Sequence, residues 1–431
     1  MGITDIILIF ATEKAYDVIL HSSFIMSHPQ YPHNDSPLFT IEDSGVSLYI
    51  HIPFCRSRCA YCDFFSTTRE AEKEAYVKVL CSEIVERSHE LLSTRVQTIY
   101  IGGGTPSQLS PTLLQQILDC IYDNYEVDAE AEVTIEMNPD DVQSLGSLPS
   151  LPIKREESES KPRISLGIQT FDDDLLRLIR RRHDSTTAIH AVNALQAAGV
   201  DNISIDLIYG LPGQNMAQWE RDLDIAFDLG IQHLSAYALS YEAGTPLTRW
   251  RDEGRVCEVD DELSVGMYEH LCQRARQAGF EHYEISNFAL PGYHSRHNSG
   301  YWQGRPYLGF GPGAHSYDGF RTRRANRPSL DDYLRGPIPY DLEILTDDEL
   351  YNEAIMCGLR TSHGIALHDI EHRFGSDRLH YLLRMAEPHI AAGRLILDQP
   401  SPINHQSSLP LIVGSPSLRS NLFASSSEAL P

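Results

Sequence analysis

Two periods alternate along the chain from residue 47 onward. Short runs rich in Ile, Val, Tyr and Thr recur, and between them apolar residues return every three or four positions. The runs predict strands at 47–52, 96–101, 131–136, 163–169, 202–208 and 233–240. Helices are predicted between them. Ala71, Ala75, Val79, Leu80 and Ile84 mark the first; Leu113, Leu114, Ile117, Leu118 and Ile121 mark the second, behind Ser110-Pro111, a cap followed by a first-turn proline. Two more cover 189–195 and 219–227. Such alternation specifies a parallel sheet covered by crossover helices. Six units are too few for a closed eight-fold barrel, so the predicted fold is α/β, an open six-stranded (β/α)6 partial TIM barrel. Reactive residues are then expected where the strands end.

Three stretches depart from this rhythm. Residues 1–46 carry scattered Pro and His without a period and read as an N-terminal extension. Residues 144–162 hold Pro149, Pro152, Pro162 and a Lys-Arg-Glu-Glu run where a crossover helix is due, and read as an insertion. Residues 401–431 contain nine Ser and four Pro and are expected to be a disordered tail. Helical patterns return at 350–359 and 379–385. The expected organisation is a core at 47–290, a C-terminal region at 291–400 with a small, mainly helical module, and the tail.

Composition acts mainly by exclusion. Thirty-five Lys plus Arg against 60 Asp plus Glu give a net charge of −25, a surface that repels phosphate backbones and anionic bilayers. No nucleic-acid partner is expected. No run of eighteen apolar residues occurs, so no membrane span is expected either. The apolar patch at 6–11 follows Asp5 rather than a basic cluster and makes a poor signal peptide. The eight cysteines are spread thinly except for Cys55, Cys59 and Cys62, which suits a reducing cytoplasm with one thiolate cluster.

Those three, spaced C-x3-C-x2-C directly after the first strand, can hold three irons of a cubane 4Fe-4S cluster and leave the fourth open to a chelating small molecule. A structural zinc, with His51 completing a Cys3His set, is the competing reading. The second strand ends in Gly102-Gly103-Gly104-Thr105-Pro106. Glycines there let a backbone carbonyl approach a charged ligand, although a tight turn alone would explain them.

The cysteine loop, with Tyr61 before its last cysteine, resembles the cluster loop of the radical S-adenosylmethionine (SAM) superfamily. The glycine segment is similar to the one that receives the SAM amino group in that superfamily. The resemblance implies a 4Fe-4S cluster on Cys55, Cys59 and Cys62, with SAM positioned by Gly103, Gly104 and Thr105. It also implies SAM contacts for Tyr49, for Glu136 at the third strand end, and for Gln169, Arg181 and Asp206. Singly, each reads as an ordinary strand-end hydrogen bond. Gathered at successive strand ends, they are hard to explain that way.

His51-Ile52-Pro53-Phe54-Cys55 and Tyr209-Gly210-Leu211-Pro212-Gly213 resemble one branch of the superfamily, which holds the oxygen-independent coproporphyrinogen III dehydrogenases and the HemW heme chaperones. The dehydrogenases carry a further cysteine two positions past the third; Phe64 stands there in this chain, which points to the chaperones. His297-Asn298-Ser299-Gly300-Tyr301-Trp302 matches the chaperones' H-N-x-x-Y-W motif. That match implies heme binding, with His297, Asn298, Tyr301 and Trp302 as candidates, since imidazole ligates iron and aromatic rings stack on a porphyrin. The plainer reading is that His297 caps a turn while Tyr301 and Trp302 fill an interface. His294 and His315 are rival ligands. The resemblance thus implies a cytoplasmic heme chaperone that hands heme to a membrane-associated respiratory acceptor. The alternative is a radical SAM oxidative decarboxylase of porphyrin biosynthesis. Transfer RNA modifiers share the cysteine loop but need a cationic surface that this composition does not offer.

Overall fold

Successive side chains of a strand point to opposite faces, and here the two faces differ in chemistry. In a computed structural model, which describes residues 45–91, 95–142, 162–398 and 411–414, the six predicted strands are found. They are β1 (Val46–Ile52), β2 (Arg95–Gly103), β3 (Glu126–Met137), β4 (Arg163–Gln169), β5 (Ile203–Tyr209) and β6 (His233–Ala238), parallel and in chain order. Helices α1 (Lys73–Glu86), α2 (Pro111–Asn124), α3 (Asp173–Leu178), α4 (Ser185–Ala197) and α5 (Met216–Asp228) connect them. Ser110 caps α2 by accepting the Leu113 N–H, with Pro111 in the first turn.

Leu48, Ile50, Ile99, Ile135 and Ile205 join Leu80, Ile84, Leu114, Ile117, Val192 and Leu223 in one core between sheet and helices. Each such side chain contributes about 1.5–3 kcal/mol by leaving water. The other face is polar. Tyr49, Tyr100, Thr134 and Arg163 stand in register across β1 to β4. Glu136, Ser165, Ser204 and His233 form the next row, from β3 to β6. A parallel sheet normally buries apolar runs on both sides; a polar interior of this extent marks a chamber for ligands.

The sheet stays open, as expected, and is wider than expected. Its order is β12-β11-β10-β9-β1-β2-β3-β4-β5-β6-β8-β7. After α6 (Pro246–Asp252) and α7 (Asp261–Gln277), β7 (Glu281–Glu284) and β8 (Asn287–Ala289) form a hairpin along β6. Beyond α8 (Arg296–Trp302), β9 (Tyr307–Phe310) pairs parallel with β1; β10 (His315–Tyr317), β11 (Thr322–Asn326) and β12 (Tyr340–Ile344) continue antiparallel. None of these six was predicted, because three to five residues are too few to show a period.

The C-terminal region holds α9 (Leu330–Arg335), α10 (Asp347–Arg360), α11 (Leu367–Phe374) and α12 (Ser376–Ala391). Tyr351, Ile355, Ile370 and Leu382 give it a small core of its own. A second sheet joins β13 (Ile365–Ala366), β14 (Leu395–Asp398) and β15 (Leu411–Gly414). Four residues of the expected disordered tail are therefore a strand, as their Leu-Ile-Val-Gly sequence permits once a partner edge is present. The rest of the tail, the extension up to residue 44 and the insertion up to residue 161 lie outside the described residues. Among the described residues, no helix is long and apolar enough to cross a membrane.

Candidate functional site

The cysteine loop leaves β1 and is fastened on three sides. Cys55 N–H donates to Thr67 O at 2.8 Å, Ala60 N–H to Ile179 O at 3.0 Å, and Leu247 N–H to Ala60 O at 2.9 Å. Tyr61 packs among Leu175, Ile179, Ile208 and Leu211. The three thiols are half-buried. Burial pushes Cys62 up to about 11 and Cys55 upward as well, so they become ligands only where a cation displaces their protons to solvent.

His51 does not join them. Its Nε2 donates to Phe65 O at 3.0 Å, so its Nδ1 accepts from the Tyr49 hydroxyl at 3.1 Å. Burial lowers it to about 4, which keeps it neutral. Among the described residues, no three His, Cys, Asp or Glu side chains converge on a point suited to a single ion. Both facts weigh against the Cys3His zinc reading. A cubane has no such requirement, since each thiolate takes a separate iron.

A chain of hydrogen bonds ties the first two cysteines together through the strand ends. Thr105 Oγ1 lies 3.5 Å from Cys55 Sγ and accepts from Asn138 Nδ2 at 3.2 Å. Asn138 Oδ1 accepts from Arg181 Nη2 at 2.6 Å, and Arg181 Nη1 reaches Cys59 Sγ at 3.3 Å. Arg181 also donates to the Gly167 carbonyl. Burial alone would lower this guanidinium, but Tyr61 and Cys59 more than offset it and hold it charged. Its Nε is buried without a hydrogen-bond partner.

The glycine segment is required by its surroundings. Gly103 has φ +108°, and a Cβ there would lie 2.4 Å from His51 Nδ1; one on Gly102 would lie 2.9 Å from the Glu136 carboxylate. Gly104 N–H donates to Ile52 O at 2.8 Å. Glu136 accepts from the Tyr100 hydroxyl at 2.7 Å and from Gly103 N–H at 3.0 Å. Burial raises it to about 7 despite both bonds. Burial raises Tyr49, with Glu136 adding to the effect. Asp206 is also raised by burial, against hydrogen bonds from Ser235 and Ser165. Gln169 closes β4 at φ +76°, a conformation that non-glycine residues rarely adopt.

Tyr49, Gly103, Gly104, Thr105, Glu136, Gln169, Arg181 and Asp206 thus share the polar face and the strand ends with the cysteines. Half-buried thiols, a guanidinium with a spare buried donor, a glycine segment without side chains and two acids are a set that fits an iron-sulfur cluster with an amino-acid nucleoside beside it. Tyr100, Asn138 and Arg163 also belong to the set and were not predicted. The signal for Tyr100 and Arg163 was present: their parity puts them on the same face as Tyr49 and Glu136.

The His297 segment packs against Tyr100, toward the N-terminal end of the same strands, and is built into the fold. Glu132 on β3 accepts the N–H groups of Arg296 and His297, each at 3.0 Å, and Ser295 caps α8 by accepting from Asn298. His297 is 1% exposed. Its Nδ1 is 2.8 Å from Thr98 Oγ1 and its Nε2 is 2.8 Å from the Tyr301 hydroxyl. The ring lies 5.0 Å from that of Tyr100, and burial lowers it to about 3. Tyr301 packs edge-on to Tyr307, and Arg360 of α10 covers Trp302. Of the rival histidines, His294 stacks on Tyr283 and lies 2.8 Å from Glu281; His315 is half-buried on β10. Both nitrogens of His297 are spent inside the protein, which gives this imidazole the place of a strut.

Residues 49–226 match the Radical SAM superfamily, and residues 345–399 match the HemN C-terminal domain. Heme chaperone HemW of a Synechocystis species is 37% identical over 333 residues, covering 74% of this chain and 79% of that protein. Heme chaperone HemW of Bacillus subtilis is 34% identical over 336 residues, covering 76% and 87%. Radical S-adenosyl methionine domain-containing protein 1, mitochondrial, of Bos taurus is 34% identical over 334 residues, covering 74% of each chain. Among solved structures, coproporphyrinogen III oxidase (HemN) of Escherichia coli, described as a radical SAM enzyme, superposes with a TM-score of 0.69 at 20% identity. It covers 89% of this chain and 90% of its own. At that identity the likeness is one of fold.

Proposed function

Because the chain belongs to the HemW family within the radical SAM superfamily, we propose that it is a heme chaperone that binds heme and passes it to an acceptor protein. In this reading Cys55, Cys59 and Cys62 hold a 4Fe-4S cluster. Tyr49, Gly103, Gly104, Thr105, Glu136, Gln169, Arg181 and Asp206 hold SAM beside it. When bound, the cluster supplies one open iron for the amino-acid end of SAM. Arg181 orients Cys59, Thr105 orients Cys55, and the Glu136 carboxylate accepts hydrogen bonds from nucleoside hydroxyls.

The observation that carries the cofactor half is the hydrogen-bond chain Cys55–Thr105–Asn138–Arg181–Cys59, which links two of the thiols through Thr105 and Arg181, both read as SAM contacts. What supports the chaperone half is identity of 34–37% to heme chaperones over most of their length. Heme would lie against α8 and its neighbours, where Asn298 and Trp302 are half-buried rather than enclosed. His294 and His315, less enclosed than His297, are its rivals for the axial ligand. A cytoplasmic site of action and a membrane-associated respiratory acceptor belong to this proposal.

Anaerobic reconstitution followed by heme titration tests it, the expected result being a saturable Soret shift. Supplying coproporphyrinogen III with SAM and a reductant tests the enzymatic alternative. Formation of protoporphyrinogen would refute the chaperone reading, as would the absence of any Soret change.

A further inference from the structure

Arg163 enters the polar interior from β4, between the strands that carry Glu136 and Asp206. It stands opposite Thr134 in the register, two residues below the Glu136–Ser165 pair, while Asp206 opposes Gly167 on the far side. The side chain is 2% exposed. Its Nε, like the neighbouring Thr134 Oγ1, is buried without a hydrogen-bond partner. Burying a guanidinium is costly unless opposite charge compensates it; the acids on the same face are Glu136 and Asp206, with Glu132 two residues before Thr134 on β3 holding the N–H groups of Arg296 and His297.

The groups acting on those acids can be named from every side. Tyr100 and Gly103 from β2, Asp206 from β5 and Arg163 from β4 act on Glu136, with Tyr49 of β1 also facing it. Ser235, Ser165, Arg163 and Arg181 act on Asp206. Arg181 is committed to Cys59, Asn138 and Gly167. Arg163 is therefore the cation common to both acids that no cysteine engages.

We propose that Arg163 is a positioning residue whose charge favours the ionised forms of Glu136 and Asp206, so that they can accept hydrogen bonds from the hydroxyl groups of a bound nucleoside. The proposal rests on the reading of this chamber as a SAM site. An ionised carboxylate accepts from both hydroxyls of a ribose, whereas a protonated one gives up part of that capacity to its own O–H. Burial already raises Glu136 to about 7, so loss of a nearby positive charge leaves it largely protonated at neutral pH.

The test is SAM binding to the cluster-reconstituted full-length protein, by anaerobic equilibrium dialysis from pH 6 to pH 9. Wild-type affinity is expected to rise through pH 7. In Arg163→Met the rise moves up by about one pH unit, so that the ionised fraction at pH 7 drops from about one half to about one tenth. Affinity at pH 7 then falls about fivefold and recovers by pH 9, while Arg163→Lys stays close to wild type. An equal loss at pH 7 and pH 9, or an unshifted profile, would overturn the proposal. If Arg163→Met does not fold, Arg163→Gln decides: it must show the same upward move of the profile, and an unshifted profile overturns the proposal. A wild-type protein that binds no SAM at any pH refutes the SAM reading itself, an outcome distinct from any shift in profile.

Discussion

His297→Gln separates a strut from a ligand. The imidazole spans two hydroxyls, Thr98 Oγ1 and the Tyr301 hydroxyl, each 2.8 Å away, and its ring packs 5.0 Å from Tyr100. A Gln amide carries both polar atoms on one carbon and cannot bridge groups on opposite sides of a ring. One buried hydroxyl then loses its partner, at about 1–3 kcal/mol. Lost ring packing adds about 1 kcal/mol. The variant should be less stable by about 3 kcal/mol, or roughly 6 °C in melting temperature at about 2 °C per kcal/mol for a long chain.

The pH dependence gives a second, independent number. His297 is lowered from the ordinary 6.5 to about 3 by burial. Below pH 6.5 the unfolded chain therefore binds a proton that the folded chain refuses, so the stabilising contribution is complete above 6.5 and drains away as pH falls. Between pH 7.5 and pH 5.5 this amounts to about 1.4 kcal/mol. Denaturant unfolding at those two values should show wild type losing about 1.4 kcal/mol more than His297→Gln. Heme titration of the same variant should retain the wild-type Soret position. A variant with wild-type stability and pH slope that has lost its Soret shift would refute the strut and make His297 the iron ligand.

Three further outcomes are expected. Cys59→Ser should lose the brown colour and most of the iron after anaerobic reconstitution, while its circular dichroism stays native; full iron content would count against the cluster assignment. Gly103→Ala forces a Cβ to within 2.4 Å of His51 Nδ1 at φ +108° and should cost about 3 kcal/mol in unfolding experiments; a neutral effect would mean that the β2 end is looser than described. Glu284 is 1% exposed and raised by burial from 4.5 to about 7. The folded state therefore holds its proton more tightly, and stability is lost as pH rises from 4.5 through 7. Glu284→Gln should remove that slope and be more stable than wild type by about 3 kcal/mol at pH 8, seen as a higher melting temperature at pH 8 than at pH 5 relative to wild type. Parallel melting curves for the two proteins would contradict this.

Much of the scaffold could be read from local pattern. β4 starts and ends at the predicted Arg163 and Gln169, and the Ser110-Pro111 start of α2 forms as its sequence requires. Parity along each strand also carries the division between polar face and core face, a signal that the strand and motif assignments left unused. What escaped was short or distant. The strands β7 to β12 have no period to detect and form because edges of the central sheet are there to receive them. Asn138 carried no assigned role, yet it joins Arg181 to Thr105.

Glu83 shows where the division falls. Its place in the α1 pattern says only that an acid stands on a helix. In the folded chain it is 1% exposed and accepts from Arg87, Gly311, Asn326 and Tyr333. Three of those partners come from more than two hundred residues away, and they fasten the C-terminal strands to the core. The same holds for His297, whose motif suggested a ligand and whose ring nitrogens lie against Thr98 and Tyr301 in the folded chain. Sequence by itself determined the periodic elements, the cysteine loop and the family, because backbone periodicity and ligand spacing are local properties of a chain. Only the tertiary structure decided which polar groups are paired in the interior, because a hydrogen bond depends on where two atoms meet in space, whatever their separation along the chain.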